Sequence, residues 1–405
     1  MELKEYELGE LLPYIQPSAY IVKSTKYSDT YKTPVLTAGK SFILGYTNEE
    51  DNIFEDLPVI IFDDFTTATQ YVNFKFKVKS SAMKILKINT ELVNPKYIFY
   101  RMKTIQVKHS THKRYWIQQY SKIKIKIPSL EEQERVVARI EELFSNLDNS
   151  IEILKDTQRQ LNLYKQAVIK EAFTGSFTTK FRKVKNLDLN TDLKWEESSQ
   201  IKSLPIIPDS WKYVSLAQLG DLGRGKSKHR PRKDKKLFED GKYPFIQTSE
   251  VKSAGKYITE YRKLYGEFGL AQSKLWPKGT LCITIAANIA ETGFLGIDAC
   301  FPDSIVGFTA NKYVIPEYIK YFIDSQRAQL TAFAPATAQK NINLGTLENL
   351  IIPYCSLEEQ EEIINEIESR LTIYNNIEQL IKTSLSKSAA LRQSILKQAF
   401  EWRLI

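Results

Sequence analysis

The residues Gly220-Asp-Leu-Gly-Arg-Gly-Lys-Ser227 satisfy the phosphate-loop pattern GxxxxGK[ST] letter for letter. Such a loop holds phosphate with backbone amides and a helix N-terminus, so it needs a buried strand before it and a helix after it. Here the next residues are Lys228-His-Arg-Pro-Arg-Lys-Asp-Lys-Lys236, a poor helix interrupted by Pro231. No downstream apolar strand ending in Asp offers a magnesium partner. A basic surface loop fits these residues better than a nucleotide site.

The other candidates for chemistry are weaker. Asn94-Pro-Lys-Tyr97 has three of the four letters of the amino-methyltransferase motif NPPY, without the second proline and without a preceding FxGxG loop. It reads as the turn that starts a helix, with Pro95 in the first turn. His109 and His112 have helical ligand spacing, but no third or fourth ligand accompanies them. Asp63-Asp64 could hold a metal, yet the corresponding pair in the second half of the chain is Ile285-Ala286. Cys282, Cys300 and Cys355 form no CxxC pair, which argues against a disulfide framework or zinc site. No catalytic or metal site is legible.

Charge is more informative. The net charge is +9, but Ser129–Phe173 carries −3 and Ser356–Phe400 carries −2, leaving +14 on the rest of the chain. An excess so localised points to a polyanion, and nucleic acid is the expected one; double-stranded DNA in particular is what the family resemblance given below implies. Arg224 to Lys236 holds eight Lys/Arg among 13 residues, and Arg224, Lys226, Lys228, Arg230, Arg232 and Lys233 are its candidate phosphate contacts. Lys103 to Lys126 mixes bases with aromatic and amide side chains, of which Lys113, Arg114, Tyr115 and Gln118 are candidates. Two short polar turns, Thr66–Gln70 and Asn288–Thr292, align at an offset of 222 and add Thr67, Gln70 and Asn288 as candidate base readers.

The elements that position these residues follow from an internal repeat. Ser129–Phe173 opens SLEEQE and closes KEAF; Ser356–Phe400 opens SLEEQE and closes KQAF, with 14 identities over 45 positions and no gap. Each copy carries apolar residues at alternating spacings of three and four. In the first they are Ile140, Phe144, Leu147, Ile151, Leu154, Leu161, Val168 and Ala172, with Gln158 and Lys165 as polar members. In the second, Ile367, Leu371, Tyr374, Ile381, Leu385, Ile395 and Ala399 match. This is a coiled-coil seam. Neither run contains Gly or Pro, and Ser129/Glu132 and Ser356/Glu359 have capping-box spacing. Each helix would be roughly 65 Å long, too long for one small core to cover. Two such helices most simply bury each other's stripes.

The domains before each helix share anchors as well. Pro95-Lys-Tyr-Ile-Phe-Tyr matches Pro316-Glu-Tyr-Ile-Lys-Tyr, and Lys32-Thr-Pro-Val-Leu-Thr resembles Lys242-Tyr-Pro-Phe-Ile-Gln-Thr. Short β-rich runs punctuated by Gly, Asn and Asp make both domains mixed α/β (α+β). The expected division is 1–128, a first recognition domain; 129–173, a long helix; 174–207, a polar linker; 208–355, a second domain; and 356–405, the second long helix. No run of 18 apolar residues exists and the N-terminus lacks a charged-then-apolar signal, so a cytoplasmic protein without membrane contact is expected.

The order IPSLEEQE, long helix ending in Ala-Phe, Pro208-Asp-Ser-Trp-Lys-Tyr, then IPYCSLEEQE and a second such helix resembles the specificity subunit of Type I restriction–modification systems. Lys170-Glu-Ala-Phe-Thr-Gly-Ser-Phe177 belongs to the same pattern, and the resemblance spans essentially the whole chain. It implies two target-recognition domains, each reading one half of a split asymmetric DNA site, separated by the two helices paired as an antiparallel coiled coil with pseudo-twofold symmetry. It implies that two methylation subunits dock on the helices, with restriction subunits joining in the full complex. The chain itself would bind no cofactor; S-adenosylmethionine, ATP and magnesium would sit on the partners. The first half lacks the P-x-x-W of Pro208–Trp211, which leaves its N-terminal packing open. The alternative readings are a P-loop ATP-dependent DNA-acting enzyme, which nucleotide binding by the isolated chain would favour, and a purely structural coiled-coil scaffold.

If the helices are a ruler, removing 144–157 and 371–384 together keeps the seam and shortens it by roughly 21 Å. The expected outcome is a shorter gap between half-sites, or no activity, in methylation mapping; an unchanged site at full activity contradicts the ruler.

Overall fold

The structure is a computed structural model and describes residues 2–37, 41–105, 115–185, 189, 192–195, 204–333 and 342–401. Two long helices, Leu130–Ala172 and Leu357–Phe400, lie where the repeat places them. The chain divides into two compact units, Met1–Asp156 with Ile381–Ile405, and Thr157–Leu380. The division cuts through both helices, so each unit owns a piece of each.

In the first unit the sheet order is Tyr14–Ile15, Met83–Lys87, Val59–Asp63, Thr69–Val72, antiparallel throughout. A smaller sheet orders Ile43–Thr47, Thr33–Leu36, Lys77–Val78, the last pair parallel. In the second unit the order Gly220–Arg224, Ile305–Ala310, Leu281–Thr284, Thr292–Leu295 repeats the first sheet, with Tyr257–Ile258 added at its edge. Its smaller sheet again pairs a strand from the repeated Lys-x-Pro anchor, Tyr243–Phe245, in parallel with Ala299–Cys300. The mixed α/β class and the duplicated topology are therefore as expected, and the offset of 222 relates Val59 to Leu281, Lys77 to Ala299 and Met83 to Ile305. The missing Trp in the first half costs no strand. Lys4–Glu7 pairs antiparallel with Lys124–Ile127, as Lys212–Ser215 does with Ile351–Tyr354.

Most seam residues are buried, while Ile151, Leu154, Leu161, Leu371 and Leu385 are half-buried. In the first unit Ile140, Phe144 and Leu147 share a core with Ile395, Leu396 and Ala399 from the other helix. Arg392 lies over the Phe144 ring and pairs with Asp148. In the second unit Tyr374 donates its hydroxyl proton to Asn162 Oδ1 at 2.7 Å and carries Lys165 over its ring, while Arg370 stacks on Phe177. Rising numbers on one helix meet falling numbers on the other, so the pairing is antiparallel in each unit. The polar seam member Lys165 is accommodated by an aromatic face.

Each unit closes with the end of the helix it did not start. Phe400 packs edge-on against Tyr97 at 5.2 Å, and Phe173 does the same to Tyr318 at 5.1 Å. These tyrosines are the repeated Tyr of P-x-Y-I-x-Y, on the helices Pro95–Met102 and Pro316–Phe333. Tyr100 bonds Glu141 and Tyr321 bonds Glu368, which are related by the repeat.

The Gln of SLEEQE explains why the motif is duplicated. Gln133, fully buried, accepts from Asn94 N at 2.7 Å and donates to the carbonyls of Leu92 and Pro128. Gln360, equally buried, accepts from Ile315 N at 2.9 Å and donates to Tyr313 and Cys355. Each glutamine satisfies three backbone groups that would otherwise be buried unpaired, and so ties the long helix to the start of the domain helix. Ser129 and Ser356 Oγ accept from Glu132 N and Glu359 N, the cap expected of the spacing.

Gln133→Leu leaves that set unpaired, and a loss of about 2–3 kcal/mol is expected by denaturant unfolding. Gln360→Leu should cost a similar amount. A change below about 0.5 kcal/mol for both would show that the staple is not structural.

Candidate nucleic-acid interface

In the second unit the phosphate-loop reading fails on geometry. Gly220–Arg224 is itself a strand, paired antiparallel with Ile305–Ala310, and the next helical turn is the short 3-10 segment Lys235–Leu237. Its glycines answer to packing: a Cβ on Gly220 would lie 2.3 Å from Thr309 O, and one on Gly225 2.3 Å from Phe301 O. Gly223 would meet the Trp276 ring. The loop's amides are also committed, Gly225 N to Ile305 O among them.

The basic run that follows is a built loop. Lys226 O accepts from Ser273, His229 N donates to Gln272 Oε1, and the His229 ring meets Asp234 Oδ2 at 2.8 Å. That contact, with the Lys236 amide, holds the Asp234 carboxyl below its ordinary range. The guanidinium groups are partly used at home. Arg224 donates from Nε and Nη2 to Asp303 O, Arg232 pairs with Asp303 Oδ1 at 2.7 Å, and Arg230 reaches Ser227 O at 2.6 Å. Lys226, Lys228 and Lys233 are exposed.

Arg224 and Arg232 line one cleft with Ile285, Ala286 and Asp303, so the structure brings the basic loop beside the hairpin turn that follows Leu281–Thr284. Asn288, half-exposed in that turn, accepts from Lys252 Nζ at 3.4 Å. Ala287 and Ala290 both take positive φ, a sharp turn for non-glycine residues. Arg327 fixes it, donating from Nε to Ala290 O at 3.2 Å and pairing with Glu291 and Asp324. Thr292 and the buried Lys320 complete the set on Asp324, at 2.7 and 2.8 Å. Sequence reading missed this cluster; its signal was the i, i+4, i+7 spacing of Lys320, Asp324 and Arg327 on one helix face.

The first unit has the equivalent hairpin turn after Val59–Asp63. Asp63 is a turn-former: its carboxylate accepts from Phe65 N and Thr66 Oγ1 at 2.9 and 2.6 Å. Asp64 accepts from Trp116 N at 2.8 Å. Thr67 has φ of 60°, and Gln70 is exposed on Thr69–Val72. Lys103 donates to Thr69 O at 2.5 Å, much as Arg327 does in the other unit, and burial lowers its ammonium pKa. Phe65, 60% exposed at the tip, was not foreseen.

The Lys103–Lys126 stretch needs correction. Tyr115 is buried, 3% exposed, and belongs with Trp116 to the core rather than the surface, because both side chains join the apolar cluster of Phe62, Tyr97, Ile98 and Met102, with the Trp116 ring edge-on to Phe62. Gln118 is exposed on Tyr115–Gln118. Lys113, Arg114, His109 and His112 lie outside the described residues. Among the described residues no group of three or more His, Cys, Asp or Glu could hold a metal, and no helix is long and apolar enough to cross a membrane.

Two similar sheets, antiparallel apart from the added edge strand Tyr257–Ile258, each presenting a polar hairpin turn, with a basic loop beside the turn in the second unit, define a two-headed nucleic-acid recognition protein. The chain belongs to the Type I restriction modification DNA specificity domain family, whose profile matches residues 1–163 and 208–386. It is 30% identical over 396 residues to the Type I restriction enzyme EcoR124I/EcoR124II specificity subunit of Escherichia coli, covering 93% of this chain and 89% of that one. It is 25% identical to the EcoBI specificity subunit of Escherichia coli over 69% of this chain, but spans only 58% of that protein's length. In fold it is similar to the HsdS subunit from Thermoanaerobacter tengcongensis, with TM-score 0.57 and 16% identity over 99% of this chain and 97% of that one. A chain from a structural study of complex assembly and conformational transition of the type I R-M system gives TM-score 0.68 at 16% identity, over 98% and 97%. As a member of this family the chain is a non-catalytic DNA sequence-recognition subunit, which leaves no place for the ATP-dependent enzyme.

Lys226, Lys228 and Lys233 lack the internal bonds of Arg224, Arg230 and Arg232, so they are the cleaner test of phosphate contact. Their joint replacement by Ala should flatten the slope of log affinity against log salt by up to about 2.7 and weaken specific and random DNA alike. Lost discrimination at an unchanged slope would make the loop a base reader.

Proposed function

We propose that the two heads read different half-sites of a split, asymmetric sequence and direct docked methylation subunits to it. The observation that carries this is the repetition of one hairpin turn, braced by a half-buried base, Lys103 or Arg327, on two sheets whose sequences have diverged. Thr67, Gln70 and Gln118 in the first head and Asn288 in the second are the proposed base readers. Arg224, Lys226, Lys228, Arg230, Arg232 and Lys233 hold the backbone, and Lys113 and Arg114 are proposed for the same role in the first head. The heads correspond to 1–128 and 208–355, and the helices 129–173 and 356–405 set the gap between half-sites.

Two methylation subunits dock on the helices in this reading, and restriction subunits join them. Leu163, Ile373, Leu380 and Leu391 support it, being exposed on long helices whose seams are already filled. S-adenosylmethionine, ATP and magnesium belong to those partners, and the complex works in the cytoplasm.

Replacing 1–128 by the corresponding domain of a relative, and mapping methylated adenines after reaction with the partner subunits, should change one half-site and leave the other. A change in both would refute independent heads.

A further inference from the structure

One cleft of the second unit has a lining that the hairpin turn and the exposed lysines of the basic loop do not account for. It measures about 340 Å³ and lies beside that loop, with Arg232 and Lys233 exposed in its wall. Strand register builds its inner part. Tyr243–Phe245 pairs antiparallel with Lys263–Tyr265, so Phe245 stands opposite Lys263. Side chains two apart on a strand share a face, which puts Phe245, Lys263 and Tyr265 on one side of the small sheet. The Phe245 and Tyr265 rings stack there at 4.2 Å, both buried. Gln247 and Thr248 follow Phe245, Ser227 arrives from the basic loop, and Ser304 from the segment after Ala299–Cys300.

Every polar side chain in this lining can donate a hydrogen bond, and none is a carboxylate. The neighbouring cleft at Ile285 and Ala286 carries Asp303, and the larger one around Lys256 and Lys320 carries Glu291, Asp324 and Glu368. Of the three cations, Arg232 is met by Asp303 Oδ1 at 2.7 Å, whereas Lys233 and Lys263 have no ion pair among the described residues. Lys263 rests against the Phe238 ring, at 5.3 Å. The Gln247 amide and the Thr248 and Ser304 hydroxyls have no hydrogen-bonding partner among the described residues. Ser227 Oγ, 6% exposed, has the Tyr265 hydroxyl at 3.5 Å, beyond the ordinary length of an O–H···O bond. A half-enclosed set of donors with surplus positive charge is complementary to an anion with several acceptor oxygens, and a phosphate is such an anion.

We propose that this cleft is a seat for one backbone phosphate of the DNA bound by the second head, held by Lys263, Lys233 and Arg232 and by the free donors of Gln247, Thr248 and Ser304. DNA is the source because Arg232 lines both this cleft and the one at Ile285 and Ala286, so the seat opens beside the turn that bears Asn288. It differs from the contacts assigned to Lys226 and Lys228, which stand on an exposed loop. Lys263 stands on a paired strand, so the seated phosphate has one position relative to the turn and fixes the register of the head on the duplex. Lys263, Gln247, Thr248 and Ser304 are thereby positioning residues for base reading. The inference rests on the proposed reading of a half-site by the second head.

The test replaces the phosphates of the second half-site, one at a time, by uncharged methylphosphonates and measures DNA binding by the complex of the full chain with its methylation partner. Neutralising the seated phosphate should weaken wild-type binding at least about tenfold, the size of one charge-assisted hydrogen bond. Lys263→Met, which keeps the side-chain stem against Phe238, should reduce the penalty at that one position severalfold and leave the penalties elsewhere as they are. Gln247→Ala, which leaves the Lys263–Phe238 contact untouched, should couple to the same position. Penalties that match the wild type at every position in both variants would overturn the seat. So would capture of inorganic phosphate by the DNA-free complex that Lys263→Met abolishes, with no coupled position on DNA, since the cleft would then serve a free anion. If no phosphate of the second half-site matters to the wild type, the reading of that half-site by the second head falls. If several matter and none couples to Lys263 or Gln247, only the seat falls.

Discussion

Neither compact unit is complete without both long helices. Phe400 fills the space over Tyr97 and Phe173 the space over Tyr318, and each arrives from the helix that began in the other half of the chain. An aromatic pair of this kind contributes about 0.5–1.5 kcal/mol beyond its buried area. More important is what it prevents: a head whose closing ring comes from the distant end of the sequence cannot finish folding on its own stretch of chain. The antiparallel seam goes with that exchange, while the buried glutamines and the Tyr–Glu bonds stay within one half and tie each long helix to its own domain.

The same exchange makes the heads free to diverge. What is shared between halves is scaffold: the Gln staple, the P-x-Y-I-x-Y helix and the Pro-bearing strand. What differs is carried on the hairpin turns and loops at the sheet ends, where at the offset of 222 Thr66, Thr67 and Gln70 of the first turn correspond to Asn288, Ile289 and Thr292 of the second. Lys103 and Arg327 do one job with different side chains, holding the carbonyl at the base of the turn. Rigid bracing beneath variable tips is the arrangement a sequence-reading surface requires, because base edges are discriminated by fixed donors and acceptors.

Much of this was legible in the sequence, for reasons that are physical. A gapless repeat with a three-four apolar alternation leaves a helix pair little choice, and the offset of 222 holds from Val59 to Met83 because strands in register tolerate no insertion. The Lys103–Lys126 stretch was less legible. Tyr115 and Trp116 follow a basic run, so composition placed them with it, but large rings bury wherever a core has room. The Asp324 cluster was hidden because Lys320, Asp324 and Arg327 look like an ordinary solvated face until Thr292 and Glu291 close over them. The internal bonds of the basic loop were not legible: Asp303 and the carbonyls of Ser227 and Asp303 draw in its arginines.

The central claim is that the two hairpin turns read separate halves of one site. The most direct measurement is base-resolution methylation profiling of complexes carrying Gln70→Ala or Asn288→Ala. The account predicts relaxed preference at one half-site for the first variant and at the other half-site for the second, by about 1–3 kcal/mol at the affected base. Relaxation of both halves by either variant, or an unchanged profile from both, would contradict it.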